Sequence, residues 1–408
     1  MATRSCGRIA AVLFCSAVAW PCIAADAQPL TASPAFRTAA EQVRSVLASG
    51  DLRAADAQLS SMTPASPLET YIAGSLAMEL AVKRNDLVAQ RTAVTRMLES
   101  SGAPEAELPR LNHVAGYLAA RAGATENAIA YLSRARTLGI SDPRASLLLV
   151  ESYVRLRRMD DAARVLGETI AARRQAMQPV PASWYDRSAS LALVRRDWAG
   201  LASASAGKLA DPSMTGPDWR SAIVTYLANA QPEKDAALDL YRLQSAAGAL
   251  ASERDWQAYA AAAVESGNAA EAGAVIAAGQ ASGALAKADP VVASLQRSVR
   301  AVRSPSAKTP ANAPNLTGAQ AAEAGDDLLG AGRFADAAAY YRAALAKGAD
   351  RDRVTTRLGI ALARAGDLDG ARAALAQAQG RWAEVAAFWT AWAEARRPRA
   401  ATTVPPIG

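Results

Sequence analysis

In GRFADAAAYYRAALAKG, Gly332 to Gly348, alanines and an aromatic pair fall at helical spacing between two glycines. Small residues at such intervals make a packing face, and glycine permits the left-handed backbone that ends a helix. The pattern returns from Gly366 as GDLDGARAALAQAQ, 34 residues later. Ala337 corresponds to Ala371, Tyr341 to Leu375 and Ala344 to Ala378. Upstream, Gly325 corresponds to Gly359 and Leu328 to Leu362. A period of 34 predicts a unit of two antiparallel helices stacked on its neighbours.

Weaker copies precede these two. Their turns are expected at Gly50, Asn85, Gly123, Arg158, Arg196, Pro232 and Gly267, with Trp256 heading the first helix of the last. Asn85 suits its place because Asn is the next-best left-handed residue after Gly. SPSAKTPANAPNLT, Ser304 to Thr317, has three prolines and no apolar period. It reads as a linker, with Thr317 as the N-cap of the helix that follows. In RWAEVAAFWTAWAEARR, residues Trp382, Val385, Phe388, Trp389 and Trp392 share one helix face. The expectation is a capping helix that covers the open end of the last repeat.

At these positions the sequence resembles the tetratricopeptide repeat (TPR) family. Leu328, Gly325, Gly332, Ala337, Tyr341 and Ala344 occupy the family's characteristic places, as do Leu362, Gly359, Gly366, Ala371, Leu375 and Ala378. The resemblance covers roughly residues 35–395 and is strongest in the last two copies. It implies an all-α fold, an α-α superhelix of antiparallel helix pairs. It also implies a concave groove lined by the first helix of each pair, with Tyr341 as a large plug between pairs. The family's carboxylate clamp, built on Lys and Asn, is not implied, because His113 and Tyr117 stand where it would lie.

Composition supports the all-α reading. The chain of 408 residues is 51% hydrophobic but only 5% aromatic, with Ala dominating, and Ala is the strongest helix former. The N-terminus pairs Arg4 and Arg8 with an apolar run, Ile9 to Trp20, followed by Pro21 and Ala25-Asp26-Ala27. That is the layout of a cleavable secretory signal, and the run is too short to span a bilayer. Cys15 follows Phe14 and Cys22 follows Pro21, so no small residue precedes either cysteine as a lipoprotein signal requires. All three cysteines lie in this segment, and a cysteine-free mature chain suits an oxidising compartment. The expected organisation is a signal peptide at 1–27, a helical array at 28–302 and a Pro-rich linker at 303–317. A C-terminal pair with its aromatic cap follows at 318–397, and a disordered tail at 398–408. The expected location is periplasmic, with association with the outer membrane as an extension of that reading.

Chemistry is thinly supplied. The chain has one histidine, His113, and no HExxH, GxSxG or Walker A pattern. The expectation is a non-enzymatic protein with no cofactor and no metal. After removal of the leader, 43 basic and 37 acidic residues remain, mostly interspersed, which argues against nucleic acid. Asp160-Asp161 and Asp326-Asp327 are read as solvated or first-turn acids. Arg110, His113, Tyr117 and Arg121 are spaced 3, 4 and 4 on one helix face, and Arg and Tyr commonly anchor interfaces. Arg155 extends this stripe, and Arg353 with Arg357 forms a similar face in the last repeat. These seven residues are the candidate groove for a protein or peptide partner. The alternative is a glycan- or peptidoglycan-handling envelope protein, or an accessory to polysaccharide export. It rests on Trp184, Trp198, Trp219 and Trp256.

Overall fold

A computed structural model describes residues 31–301 and 315–397. The expected signal peptide 1–27, most of the 303–317 linker and the tail 398–408 lie outside the described residues. Among the described residues there are twenty α-helices, one short 3-10 turn and no strand. Eighteen helices form nine hairpins. Four of these are α1 (Pro34–Ser49) with α2 (Leu52–Ser61), α3 (Pro67–Lys83) with α4 (Leu87–Glu99), α5 (Leu108–Arg121) with α6 (Thr125–Thr137), and α7 (Pro143–Arg155) with α8 (Met159–Gln175). Then come α9 (Ala182–Arg195) with α10 (Trp198–Leu209), α11 (Gly216–Ala230) with α12 (Lys234–Ala246), and α13 (Glu253–Glu265) with α14 (Ala269–Ala281). A single helix, α15 (Pro290–Ala301), follows. The last hairpins are α16 (Gly318–Gly330) with α17 (Phe334–Ala346) and α18 (Arg351–Ala365) with α19 (Leu368–Leu375), closed by α20 (Gly380–Ala395).

Each hairpin turns on one left-handed residue: Gly50, Asn85, Gly123, Arg157, Arg196, Gln231, Gly267, Gly332 and Gly366. Seven are the expected positions. The other two sit one residue earlier than expected, at Arg157 and Gln231. Pro232 cannot adopt positive φ because its ring fixes φ near −65°, so Gln231 takes the turn. In four hairpins the next residue is an aspartate, Asp51, Asp86, Asp197 or Asp367, whose side chain accepts a backbone N–H of the second helix. Thr317 caps α16 as expected, in a reciprocal capping box with Gln320.

Close packing within a hairpin depends on a missing side chain. A Cβ at Gly325 would lie 2.6 Å from Tyr341, and one at Gly359 would lie 2.5 Å from Leu375. The same relation joins Gly116 and Leu132. Tyr341 is therefore seated within its own hairpin, not between pairs as expected. The bare Gly325 backbone leaves the space that the Tyr341 ring fills.

The chain divides into two compact units, residues 1–124 with 130–140, and residues 125–129 with 141–408. The first unit packs around Phe36, Val43, Leu47 and Leu76, and around Val94, Met97, Leu111 and Leu118. In the second, one continuous core runs from Ala192 of α9 to Trp392 of α20. The C-terminal hairpins share that core with α9–α12, although the composition of 303–317 suggested a separate array. Helix α20 covers α18 and α19, the expected capping role, and also packs on α10 and α12. Its Val385, Phe388 and Trp389 are fully buried. Phe388 meets Tyr226 edge to face at 5.4 Å, and the Trp389 indole N–H donates to the Asp239 carbonyl at 3.0 Å. Full burial of a Phe side chain contributes roughly 2–3 kcal/mol, so this seam is a stabilising one.

Candidate functional site

Helix α5 follows from its sequence in a simple way. Pro109 fits the first turn, where its missing N–H has no helical partner to lose. Leu111, Ala115, Leu118 and Ala119 bury one face. Arg110, Tyr117 and Arg121 are exposed on the other, and His113 is half-buried beside them. The Arg110 guanidinium donates to Glu107 at 2.5 Å. Half-buried Tyr71 of α3 belongs to the same unit, and its phenol is pushed up by burial, then by the Glu107 charge. Tyr117 is 43% exposed and is the only aromatic among the described residues to stand among the exposed large apolar side chains. Arg155, at the end of α7 in the second unit, is also exposed.

Arg353 and Arg357 of α18 have a different fate. Arg357 is 1% exposed. Its Nε lies 3.0 Å from Asp239 and its Nη1 2.7 Å from Asp326. Arg353 Nη1 lies 3.0 Å from Asp326. The chain of charges continues through α12 and α14. Arg242 contacts Asp239 at 2.5 Å and grips Glu271 with two hydrogen bonds, at 2.8 and 2.6 Å. Tyr259 donates to Glu271 at 2.8 Å and Tyr341 to Asp326 at 2.7 Å. Burial pulls the Arg357 guanidinium down, but Asp239 and Asp326 outweigh it and raise it above its ordinary value. Burial, reinforced by Asp326, pushes the Tyr341 phenol well up, so it stays a donor. The expectation that Arg357 lines an open groove is thus corrected: its charge is consumed by α12 and α16 of the same chain. Asp326 is likewise buried instead of solvated. Asp160 and Asp161 do stand in the first turn of α8, as expected.

Sequence reasoning missed a groove in the second unit. A cavity of about 530 Å³ lies between α8–α10 and α19–α20, with Arg174, Tyr185, Ser203, Thr390 and Glu394 on its walls. A second, of about 340 Å³, shares Arg174 and Tyr185. Tyr185 packs over Gly207, where a Cβ would lie 2.4 Å from its ring. No periodicity could have indicated this groove, since one wall exists only because α20 docks on α10. Three of the four tryptophans of the glycan reading are packing residues. Trp219 is buried, Trp198 and Trp256 pack against the cores, and the Arg173 guanidinium covers Trp184 at 5.4 Å. No helix of the described residues is long and apolar enough to cross a membrane.

A family model for the tetratricopeptide repeat matches residues 328–391. Residues 328–391 are tetratricopeptide-repeat sequence. Among solved structures it is similar to a tetratricopeptide repeat protein from Parabacteroides merdae ATCC 43184, at 13% identity and a TM-score of 0.31, covering 81% of this chain and 100% of that one. It is also similar to a chain of Naa15/Naa10 bound to HypK-THB, at 10% identity and a TM-score of 0.32, covering 84% and 57%. A third is in the APC/C hetero-tetramer Cut9-Hcn1, at 12% identity and a TM-score of 0.22, covering 85% and 86%. No curated protein sequence matches the chain significantly. The repeat fold is that of a protein-interaction scaffold.

Proposed function

We propose that the protein is a non-enzymatic scaffold of the cell envelope that presents the outer face of α5 to a protein or peptide partner. The carrying observation is Tyr117, a 43% exposed aromatic with Arg121 one turn away and Arg110 two turns back. Tyr and Arg are enriched among interface anchors, Tyr because it buries much area with few rotatable bonds and Arg because its planar fork makes several hydrogen bonds. Export through the 1–27 leader is part of this reading, supported by its basic start, apolar run and Ala-x-Ala site.

A photo-crosslinking residue at position 117 tests the surface, with the same residue at Val88, exposed in the same unit, as control. The reading expects one partner crosslinked from 117 and not from 88, and lost in Arg121→Glu. Equal capture from both sites removes the α5 proposal. N-terminal sequencing of the fractionated protein tests export: a mature start at Gln28 is expected, and an intact Met1 in the soluble cytoplasmic fraction would reject it.

A further inference from the structure

The turns α7/α8 and α9/α10 of the second unit are neighbours, joined by Arg195 Nε to Asp160 at 2.6 Å. Both tips are exposed over consecutive residues, Arg155-Leu156-Arg157-Arg158 and Val194-Arg195-Arg196. Five arginines thus stand on two adjacent tips. The acids nearby are already engaged. Asp161 pairs with Arg158 at 2.7 Å and with Arg164 at 3.1 Å, and Asp197 pairs with Arg195 at 3.1 Å. Arg155, Arg157 and Arg196 have no ion pair among the described residues.

Two of these three are held where an arginine is costly. Arg157 has φ 57° and Arg196 φ 53°, in the left-handed region that disfavours any side chain with a Cβ. Five of the nine hairpins place glycine at this position. Strain of this kind, on exposed residues with no internal partner, points to a use for the side chain itself. Leu156 and Val194 add exposed aliphatic surface beside the cations, at 37% and 66% exposure.

The geometry points to these two tips as a docking edge for a bilayer rich in anionic phospholipid. Three unpaired guanidinium groups match phosphate by charge and by hydrogen-bond geometry. Turn tips project outward, so they meet a plane more readily than they enclose a peptide. The aliphatic pair can enter the headgroup region while the arginines stay at the phosphate level. Each cation near an anionic surface adds about 1 kcal/mol, so the edge gives weak, salt-sensitive attachment and not permanent anchoring. This inference does not rest on the α5 surface, and either can fail alone.

The test is co-sedimentation of the full chain with vesicles of phosphatidylcholine containing 30% phosphatidylglycerol, against phosphatidylcholine alone. Arg4 and Arg8 beside the apolar run Ile9 to Trp20 also favour anionic vesicles, so the edge is read from the difference between wild type and variants that carry the same leader. Wild type should bind the anionic vesicles more, with the excess lost at high salt. Arg157→Gly with Arg196→Gly should weaken that excess by roughly thirtyfold while raising the melting temperature, because glycine relieves the strained backbone. A merely structural arginine pair could not move the two readouts in these opposite directions. Arg157→Lys with Arg196→Lys should keep most of the binding. Equal binding to both vesicles, or full binding by the glycine variant, overturns the proposal. So does loss of vesicle binding to equimolar polyglutamate, which would identify an acidic polypeptide as the occupant.

Discussion

Helices α5 and α18 are both the first helix of a hairpin, and both carry arginines at helical spacing. On α5, Arg121 and Tyr117 are exposed. On α18, Arg357 is enclosed by Asp239, Asp326 and the Trp382 ring, whose centroid is 5.8 Å from its guanidinium carbon. The residue types are alike, and the neighbours decide the outcome. An arginine that is buried among carboxylates of its own chain is withdrawn from recognition. In the C-terminal hairpins the face that a partner would use is filled by α12.

The largest effect should come from breaking the filled face. Asp239→Ala leaves Arg357 with Asp326 and Arg242 with Glu271 but takes one buried carboxylate from each, and loss of about 3 kcal/mol is expected, measured by urea unfolding. Replacing Asp239, Arg242, Glu271, Asp326 and Arg357 together with apolar residues of similar size should recover most of that loss, since such networks specify geometry more than they stabilise. If Asp239→Ala unfolds like wild type, the network is not what seats the C-terminal repeats.

Next is the packing beneath that face. Gly359→Ala places a methyl 2.5 Å from the Leu375 branch carbon, and overpacking of about 1–3 kcal/mol should follow. Pairing it with Leu375→Ala should restore part of the stability, because the space for the methyl reappears. Thermal melts of the single and double variants decide this.

A smaller effect concerns acid. Burial would raise the Asp255 carboxyl, but hydrogen bonds from Arg220, Ser252 and the N–H groups of Ala251 and Ser252 prevail and hold it below its usual value. Its folded pKa is therefore depressed. The stability it contributes is present above the unfolded value of roughly 4 and is lost as pH falls through the folded pKa. Arg220 is partly exposed, so Arg220→Ala should cost about 1 kcal/mol or less at neutral pH. It should also shallow the acid limb of a stability-against-pH curve. An unchanged limb would show that the backbone donors alone hold the carboxylate.

The smallest stability effect belongs to the open face. Tyr117→Ala with Arg121→Glu should shift stability by no more than about 0.5 kcal/mol, while weakening partner capture tenfold or more if Tyr117 is an anchor. A large loss of stability would place Tyr117 in packing and erase the contrast with α18.

Much of the fold was legible in the chain. Hairpin turns could be placed because a left-handed residue at the end of a helix is a local demand, met by adjacent residues. Gly325 with Tyr341 and Gly359 with Leu375 were visible as a repeating pattern, although which surface each large residue fills was not. That Arg110, His113, Tyr117 and Arg121 share one face of α5 followed from helical spacing alone. The burial of Arg357 was not legible, because its partner Asp239 lies 118 residues away along the chain and beyond a Pro-rich stretch that suggested independence, and Asp326 is buried with it as its second carboxylate. The groove at Tyr185 was hidden for the same reason.

By itself, then, the sequence determined the helices, their turns, the hairpin as the unit of construction and the tetratricopeptide character of 328–391. These depend on contacts between residues near one another, so the pattern carries them. Tertiary structure alone decided which repeat faces remain open. That choice depends on which helices meet across the core shared by α9–α12 and α16–α20, and the energy of burying Phe388, Trp389 and the Arg357 network exists only once those helices are side by side.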